Sequence, residues 1–450
     1  MQLMQILKSK VTRYAILYTM LIIVVYRIGS FIVAPGTSDF LISNAESLSG
    51  GLGGLFDFFG GGKLSSYSLF MLGVSPYITA SIVVQLLETD IIPSMAEWKQ
   101  QGIDGQNKRS NLTKQLAVIF AIVQSFGIIM ATTLQQIKFS QMLGVNSPLS
   151  LGQVSLMILC ITAGVCAMMW MADRITEKGV GNGISVVIMV GIVSSMPATF
   201  DNIYKQYFLD TTQLAYNTIL WTIIFIIQIL LILIVIYYSL AKRKIEINYV
   251  KSSSGKINQN SYIPIKINPA GVIPVIFVLP IMMIPIIMLN YIPWFSSNGI
   301  GWIEQILRAF FDTTTSNDFW YCAATIKFIF IVLFSVFYSH VQMNPQSMTE
   351  NLEKQAGYIV GVRPGVETKK YLEKIILQTS LWGGITLAVI ATIPTIVTQV
   401  ANVTSQGISL SLLGTGLIIT VSVIVQTYEA LLNKTESKVY RKLFGVKKWL

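Results

Sequence analysis

Bond-making by side chains needs a nucleophile, an acid–base pair or a ligand cluster, and this sequence is poor in all three. It has one histidine, His340, and three cysteines, Cys160, Cys166 and Cys322, each inside an apolar run. A lone histidine makes no zinc site, and its neighbours suggest no nucleophile for it to activate. No glycine-rich loop ending in Lys-Ser or Lys-Thr is present, so phosphate cradling of that type is excluded. The cysteines read as small apolar packing groups, not as a disulfide framework. What remains is a set of polar groups placed where polarity is costly. Thr79, Ser81 and Gln85 fall near one side of an apolar run, Asn182 and Asn268 stand at the starts of two others, and Arg27 and Lys327 lie inside runs. In a membrane such groups face protein or water and make contacts between helices.

The elements that must position these groups are membrane spans. The 450 residues are 53% hydrophobic and 12% charged, against roughly a quarter charged in soluble domains. Runs near the 20 residues that a span needs occur at 13–33, 67–88, 113–133, 150–172, 183–199, 215–241, 269–291, 319–340, 372–396 and 408–431. Pro76 in the second and the shortness of the fifth make these two the least regular helices. The first run follows Lys8, Lys10 and Arg13, is too long for a signal-peptide core and lacks a small-residue cleavage site, so it reads as a retained span. Arg27 and Lys327 lie near span ends, within snorkelling reach of the surface.

Charge placement orients the spans. With the N-terminus in the cytoplasm, only Lys63, Lys138, Lys205 and Arg308 of the 32 basic residues fall outside, and Arg27 and Lys327 within spans, which leaves 26 on the cytoplasmic side. That asymmetry supports ten spans with both termini cytoplasmic. Ten spans divide into five and five, and an odd number per half inverts the second half relative to the first. The predicted halves are 1–200 and 201–450, with a pathway between them, the parity of inverted-repeat channels and transporters.

Two cytoplasmic loops exceed what a connection requires. Residues 242–268 carry Lys242, Arg243, Lys244, Lys251, Lys256 and Lys266 against Glu246, and Ile245–Val250 alternates as a strand would. Residues 341–371 contain Arg363-Pro364-Gly365, a turn with arginine at its tip. Both read as orientation signals and solvated turns, or as a docking surface for a large cytoplasmic partner, which their length favours. On the external side, Gly51, Gly53, Gly54, Gly60, Gly61 and Gly62 flank Leu55-Phe56-Asp57-Phe58-Phe59, an apolar segment with free backbone joints that could fold back into the protein or lie on headgroups.

The motifs in order resemble those of the SecY family. Tyr26-Arg27-Ile28-Gly29 resembles its first-helix motif, and Gly73-Val74-Ser75-Pro76-Tyr77-Ile78-Thr79-Ala80-Ser81-Ile82 the signature of its second helix. Ile175-Thr176-Glu177-Lys178-Gly179-Val180-Gly181-Asn182-Gly183-Ile184-Ser185 resembles the signature before its fifth, and Lys266-Ile267-Asn268-Pro269-Ala270-Gly271-Val272-Ile273-Pro274-Val275-Ile276-Phe277 the start of its seventh. Asn344-Pro345, Glu350-Asn351-Leu352 and Gly361-Val362-Arg363-Pro364-Gly365 follow its fifth cytoplasmic loop, and Gly414-Thr415 its tenth helix. One stretch departs. Asp104-Gly105-Gln106-Asn107-Lys108-Arg109 stands where bacterial members carry an acid-Gly-Arg-Arg-Lys run, which weakens a basic patch there.

The resemblance implies an all-α membrane protein of ten helices, in two inverted five-helix halves around a central pore with a lateral gate. It implies a protein-conducting channel for secretion across, and insertion into, the bacterial cytoplasmic membrane. The plug is placed at about 51–63, with Leu55, Phe56, Phe58 and Phe59 as its apolar residues. Val74 and Ile78 share a face if helical, and the resemblance turns that face to the pore and adds Ile188, Ile276 and Ile419 as a ring. An aliphatic constriction dewets and blocks ions without holding a passing chain. Gln85, Asn182 and Asn268 fall to the gate, and Lys242, Arg243, Lys244 and Arg363 to docking, where arginine's planar fork suits carboxylate or RNA phosphate. The implied partners are SecE and SecG subunits, the SecA ATPase motor, the ribosome, signal peptides and unfolded preproteins, and membrane lipids, with no DNA. Neither a cofactor, a metal nor an enzymatic activity is implied. The competing reading is a five-plus-five secondary transporter, which needs broken helices and an ionisable coupling residue such as Arg27 or Lys327. A membrane-embedded lipid or glycan enzyme lacks the acidic clusters it would need.

Overall fold

A computed structural model describes residues 10–35, 37, 60–61, 67–88, 95, 98, 101–143, 151–208, 214–249, 261–291, 301–311, 320–343, 345–400 and 407–443. In chain order the elements are helices α1 (Lys10–Gly29), α2 (Ser75–Leu87), α3 (Ile103–Leu143), α4 (Leu151–Lys178), α5 (Gly183–Tyr207) and α6 (Leu214–Leu240), then strands β1 (Lys242–Tyr249) and β2 (Ser261–Lys266). Helices α7 (Ile273–Tyr291), α8 (Gly301–Phe311), α9 (Trp320–Gln342) and α10 (Pro345–Lys354) follow, then strand β3 (Gly357–Ile359) and helices α11 (Val366–Val400) and α12 (Gly407–Leu443). Among the described residues, eight helices are long and apolar enough to cross a membrane, and shorter apolar helices at Ser75–Leu87 and Ile273–Met282 stand at the second and seventh predicted spans. All ten predicted spans thus coincide with apolar helices.

Contacts divide the chain into two compact units. One comprises Met1–Leu220, Ile287–Gly301 and Val403–Leu450, and the other Trp221–Ile286 and Trp302–Asn402.

In the first unit the second span differs from its prediction. Helix α2 has 13 residues, about 20 Å at 1.5 Å per residue, because residues 67–74 form turns and not helix. Tyr67 and Gly73 have positive φ, at 44° and 56°. Pro76 sits in the first helical turn, where it starts the helix and costs no hydrogen bond. Irregular backbone survives within a membrane protein only where other protein groups satisfy it. Here the stretch after α1 does so. Ala34 N donates to the Tyr67 carbonyl at 2.9 Å, and Leu69 N donates to the Ile32 carbonyl at 2.9 Å. Tyr67, Met71 and Leu72 then enter a core with Ala121, Ile128 and Ile129 of α3 and Val154, Met157, Ile161 and Val165 of α4. Tyr26 stacks on Phe70 with ring centroids 5.6 Å apart, and any side chain at Gly29 would collide with that same ring. The first-helix motif is therefore fitted to the non-helical stretch.

In the second unit a three-stranded antiparallel sheet, ordered β2-β1-β3, lies outside the spans. The alternation at Ile245–Val250 anticipates β1, whose bounds are Lys242–Tyr249; β2 and β3 were not anticipated. Ile245 pairs with Ile263, and Ile247 with Ile359. With Ile265, Leu352 of α10 and Leu372 and Ile375 of α11, these residues make a separate small core. The described residues of loops 242–268 and 341–371 thus form one folded module. Beside it, α9 packs along α11.

Candidate functional site

The fifth-helix signature resolves into a clamped turn. Gly181 takes φ 76°, which a glycine adopts without strain. Asn182 is the N-cap of α5, and its side-chain oxygen accepts from Ile184 N at 3.1 Å. Gly183 N donates to Thr176 Oγ1 at 2.9 Å, and Val180 N to Thr19 Oγ1 of α1 at 3.1 Å. From α12, Lys434 Nζ donates to the Gly179 carbonyl at 2.7 Å. The turn therefore ties α4, α5, α1 and α12 together. Beside it a cavity of about 290 Å³ is lined by Asn182, Ser185, Gln426, Thr427 and Lys434 among others.

Of the predicted ring, Val74, Ile78, Ile188 and Ile419 lie in the first unit, and each is at most 5% exposed. Val74 is the N-cap of α2, with φ −93° and ψ 1°, not a residue of its first helical turn. Its carbonyl accepts from Ile78 N at 3.0 Å, so the two remain one turn apart. Val74 borders a small cleft with Tyr77, Val165, Met168 and Ile184. Ile188 and Ile419 are on α5 and α12, which pack against each other. Ile276 is in the second unit, in the first turn of α7, and is buried there. The predicted plug residues Leu55, Phe56, Phe58 and Phe59 lie outside the described residues. Gly60 and Gly61, at the end of that segment, are buried; Gly60 abuts the Met71 carbonyl, and Gly61 faces Gly191 of α5 and the Tyr26 hydroxyl.

The predicted gate residues have distinct surroundings. Gln85 Nε2 donates to Ser81 Oγ at 2.9 Å. Asn268 is 7% exposed, and its Nδ2 donates to the Gly271 carbonyl at 2.6 Å. This asparagine closes the turn before α7, which begins at Ile273 and not at the predicted 269 because Pro269–Val272 are turn residues. Gln85 Oε1 and Asn268 Oδ1 are both buried without a partner among the described residues.

The docking residues divide by sheet face. Along β1 side chains alternate, so Lys242, Lys244 and Glu246 share the outer face, while Arg243 falls on the face of the buried Ile245 and Ile247. Lys242 lies opposite Lys266 across the strand pair, and Lys244 Nζ sits 4.7 Å from the Tyr262 ring centroid. Lys242 and Lys244 therefore share one face of β1 and Arg243 takes the other, and all three are exposed. Arg363 is exposed at the turn between β3 and α11, where Gly365 has φ 99°. The Arg363 carbonyl accepts from Thr368 Oγ1 at 2.8 Å, which fixes the start of α11.

One further sequence expectation changes. Lys327 does not snorkel from a span end. It lies in the third turn of α9, is 3% exposed, and donates to Thr395 Oγ1 of α11 at 3.3 Å. Arg27 stacks over the Phe31 ring at 5.0 Å. In the departing stretch, Lys108 Nζ bonds Gln101 Oε1 at 2.9 Å and Arg109 reaches the buried Glu88 at 3.5 Å, so both cations serve local packing at the ends of α2 and α3. Among the described residues no group of three or more His, Cys, Asp or Glu side chains could hold a metal ion. Sequence reasoning missed the pairing of β1 with both β2 and β3. Its signal was the alternation of Ile263 and Ile265 and the apolar Tyr358 and Ile359 beyond α10.

These features have counterparts in known proteins. A family model for SecY matches residues 68–428. The chain is 36% identical over 443 residues to the protein translocase subunit SecY of Staphylococcus carnosus, covering 97% of this chain and 98% of that protein. It is 35% identical over 447 residues to the same subunit of Staphylococcus aureus, covering 98% and 99%. Among solved structures, one described as "The structure of a protein conducting channel" aligns with a TM-score of 0.65 at 19% identity, over 96% of this chain and 94% of that one. Sec61 in the canine ribosome–channel complex aligns with a TM-score of 0.59 at 19% identity, over 96% and 94%. The shared fold and the end-to-end identity with translocase subunits place the clamped turn, the buried aliphatic positions and the sheet module in one context: this chain belongs to the SecY family.

Proposed function

We propose that the chain is the protein-conducting subunit of a bacterial Sec translocon, passing unfolded preproteins across the cytoplasmic membrane and membrane segments sideways into it. The observation that carries this reading is the collinear identity to SecY translocase subunits over 97% of the chain. Val74, Ile78, Ile188, Ile276 and Ile419 act as the aliphatic ring, in support of which all five are buried. Residues 51–63 act as the plug, and the burial of Gly60 and Gly61 against α5 and α1 gives that segment an anchor at one end. Gln85, Asn182 and Asn268 contribute to a lateral gate between the five-helix halves 1–200 and 201–450. Two of the three present a buried amide oxygen with no partner among the described residues, which suits a contact that breaks at a cost of about 1–2 kcal/mol. The channel hydrolyses nothing itself. Its energy comes from SecA or a translating ribosome docked on Lys242, Arg243, Lys244 and Arg363, with SecE holding the halves and SecG alongside. Both termini lie in the cytoplasm, on the side of the basic loops.

Reconstitution with these partners tests the reading. Arg363→Glu abolishes preprotein translocation while the channel itself still inserts; unimpaired translocation refutes the docking role. In the same vesicles Ile78→Ser raises ion leak, and an unchanged leak removes Ile78 from the ring.

A further inference from the structure

Helix α8 has no part in the reading above. It has 11 residues, about 16 Å of helix, too short to cross a hydrocarbon core of about 30 Å. The chain reaches it from α7, which ends at Tyr291, and leaves it for α9, which begins at Trp320. The connections are residues 292–300 and 312–319. At no more than about 3.6 Å per residue, they hold α8 within roughly 30 Å of the ends of both spans. Because α7 starts and α9 ends at the sheet module, α8 lies on the opposite side of the membrane from that module.

Its sequence divides the helix in two. At about 100° per residue, positions 302, 303, 306, 307, 310 and 311 share one half of the circumference and hold Trp, Ile, Ile, Leu, Phe and Phe. Positions 304, 305 and 308, which hold Glu, Gln and Arg, fill the other half. Ile306 and Phe310, one turn apart, are 44% and 39% exposed. Among the described elements, no helix or strand packs along α8. An apolar half-cylinder tethered at a membrane surface, with no other described element packed along it, is the pattern of an interfacial helix, and Trp and Phe are residues that favour this depth.

We propose that α8 lies in the plane of the membrane on the face opposite the sheet module, with its apolar half sunk about 5–10 Å into the boundary between headgroups and acyl chains. Its partner is lipid. Glu304 and Arg308 cancel, so the attachment is apolar and needs no anionic headgroup. The inference rests on α7 and α9 being spans and is independent of the channel reading.

The test uses the full-length protein in proteoliposomes, with Cys160, Cys166 and Cys322 replaced by serine and a nitroxide on Phe310→Cys or Gln305→Cys. Collision with oxygen, which concentrates in acyl chains, is compared with collision with a water-soluble nickel chelate. At 310 oxygen dominates, at 305 nickel dominates, and both results are the same in pure phosphatidylcholine as with added phosphatidylglycerol. Nickel dominance at both sites means that α8 stands in water and overturns the proposal. Shielding of 310 from both reagents means that protein covers it and overturns the proposal equally. Requirement for phosphatidylglycerol overturns the apolar attachment. Ile306→Cys repeats the measurement if the 310 variant fails to accumulate, and a parallel translocation assay separates failure here from failure of the channel reading.

Discussion

The sheet module and the α9–α11 pair belong to the same unit and share a helix, yet among the described residues only the pair buries a charged side chain. The module hides Ile245, Ile247, Ile265 and Leu372 and exposes Lys242, Arg243 and Lys244. The helix pair hides Lys327, Ser335, Ser339, Ser380 and Thr395 and exposes Tyr321, Ile329, Leu333 and Trp382. The cause is the solvent. In water, burying apolar area is the dominant favourable term. In lipid that term vanishes between helices, and close backbone approach and polar contacts take its place. Helix α11 obeys both rules in turn. Leu372 and Ile375 in its first turns serve the module, and Ser380, Gly384 and Thr395 further along serve the pair. A residue's hydrophobicity therefore predicts its burial here only together with its depth.

Substitutions that treat the two regions alike should separate them. The largest effect is expected in the module. Ile265→Ala removes a fully buried side chain and costs the module about 2–5 kcal/mol. The measurement is protease sensitivity of residues 242–268 in intact membranes, and unchanged sensitivity contradicts an independent module core. Next comes Gly384→Leu in the helix pair. Even a Cβ at 384 would meet the Ser335 Cβ at 2.9 Å, and overpacking of this kind costs about 1–3 kcal/mol. Thermal unfolding in detergent reads it, and Leu at this position is tolerated only if α9 and α11 are not in close contact. The smallest and most diagnostic comparison concerns Lys327. Thr395→Val removes its described acceptor and costs about 1–3 kcal/mol. Lys327→Met removes the charge itself and is neutral or stabilising, by the logic of replaced buried charges. If both are equally destabilising in the same detergent assay, the ammonium has another partner that the pair of substitutions does not touch.

The sequence was most legible where one solvent acts on a whole element. Apolar runs of span length located the ten helices, because lipid demands apolar side chains on every outward face. It was less legible where tertiary contacts override the local pattern. Residues 67–74 are apolar enough to continue α2, but Tyr67 and Leu69 bond to Ala34 and Ile32, partners more than 30 positions away. The depth of Lys327 was misjudged because snorkelling depends on whether a neighbouring helix blocks the way out, and only the packing of α9 on α11 decides that. Likewise the sequence assigns Lys242, Arg243 and Lys244 together to docking without showing which faces they take. The pleat of β1 separates Arg243 from the other two. Of the motifs, Gly179 and Val180 were visible as residues, but their part in clamping four helices depends on Lys434 and Thr19, which no local pattern connects to them.

The continuity of α11 has a mechanical consequence. Its 35 residues run without interruption from the turn beside Arg363 to Val400, a rod of about 52 Å. The Thr368 hydroxyl grips the Arg363 carbonyl at the rod's near end, and Leu372 and Ile375 lock the module to its first turns. A push or twist delivered to the exposed arginine is carried along a stiff hydrogen-bonded column and is not lost in a flexible joint. The first weak point on its route is Pro394, which has no N–H to bond the preceding turn. Thr395, the contact of the buried lysine, is the very next residue. Torque applied at one end of the rod is thus released beside the most expensively buried charge in the described structure.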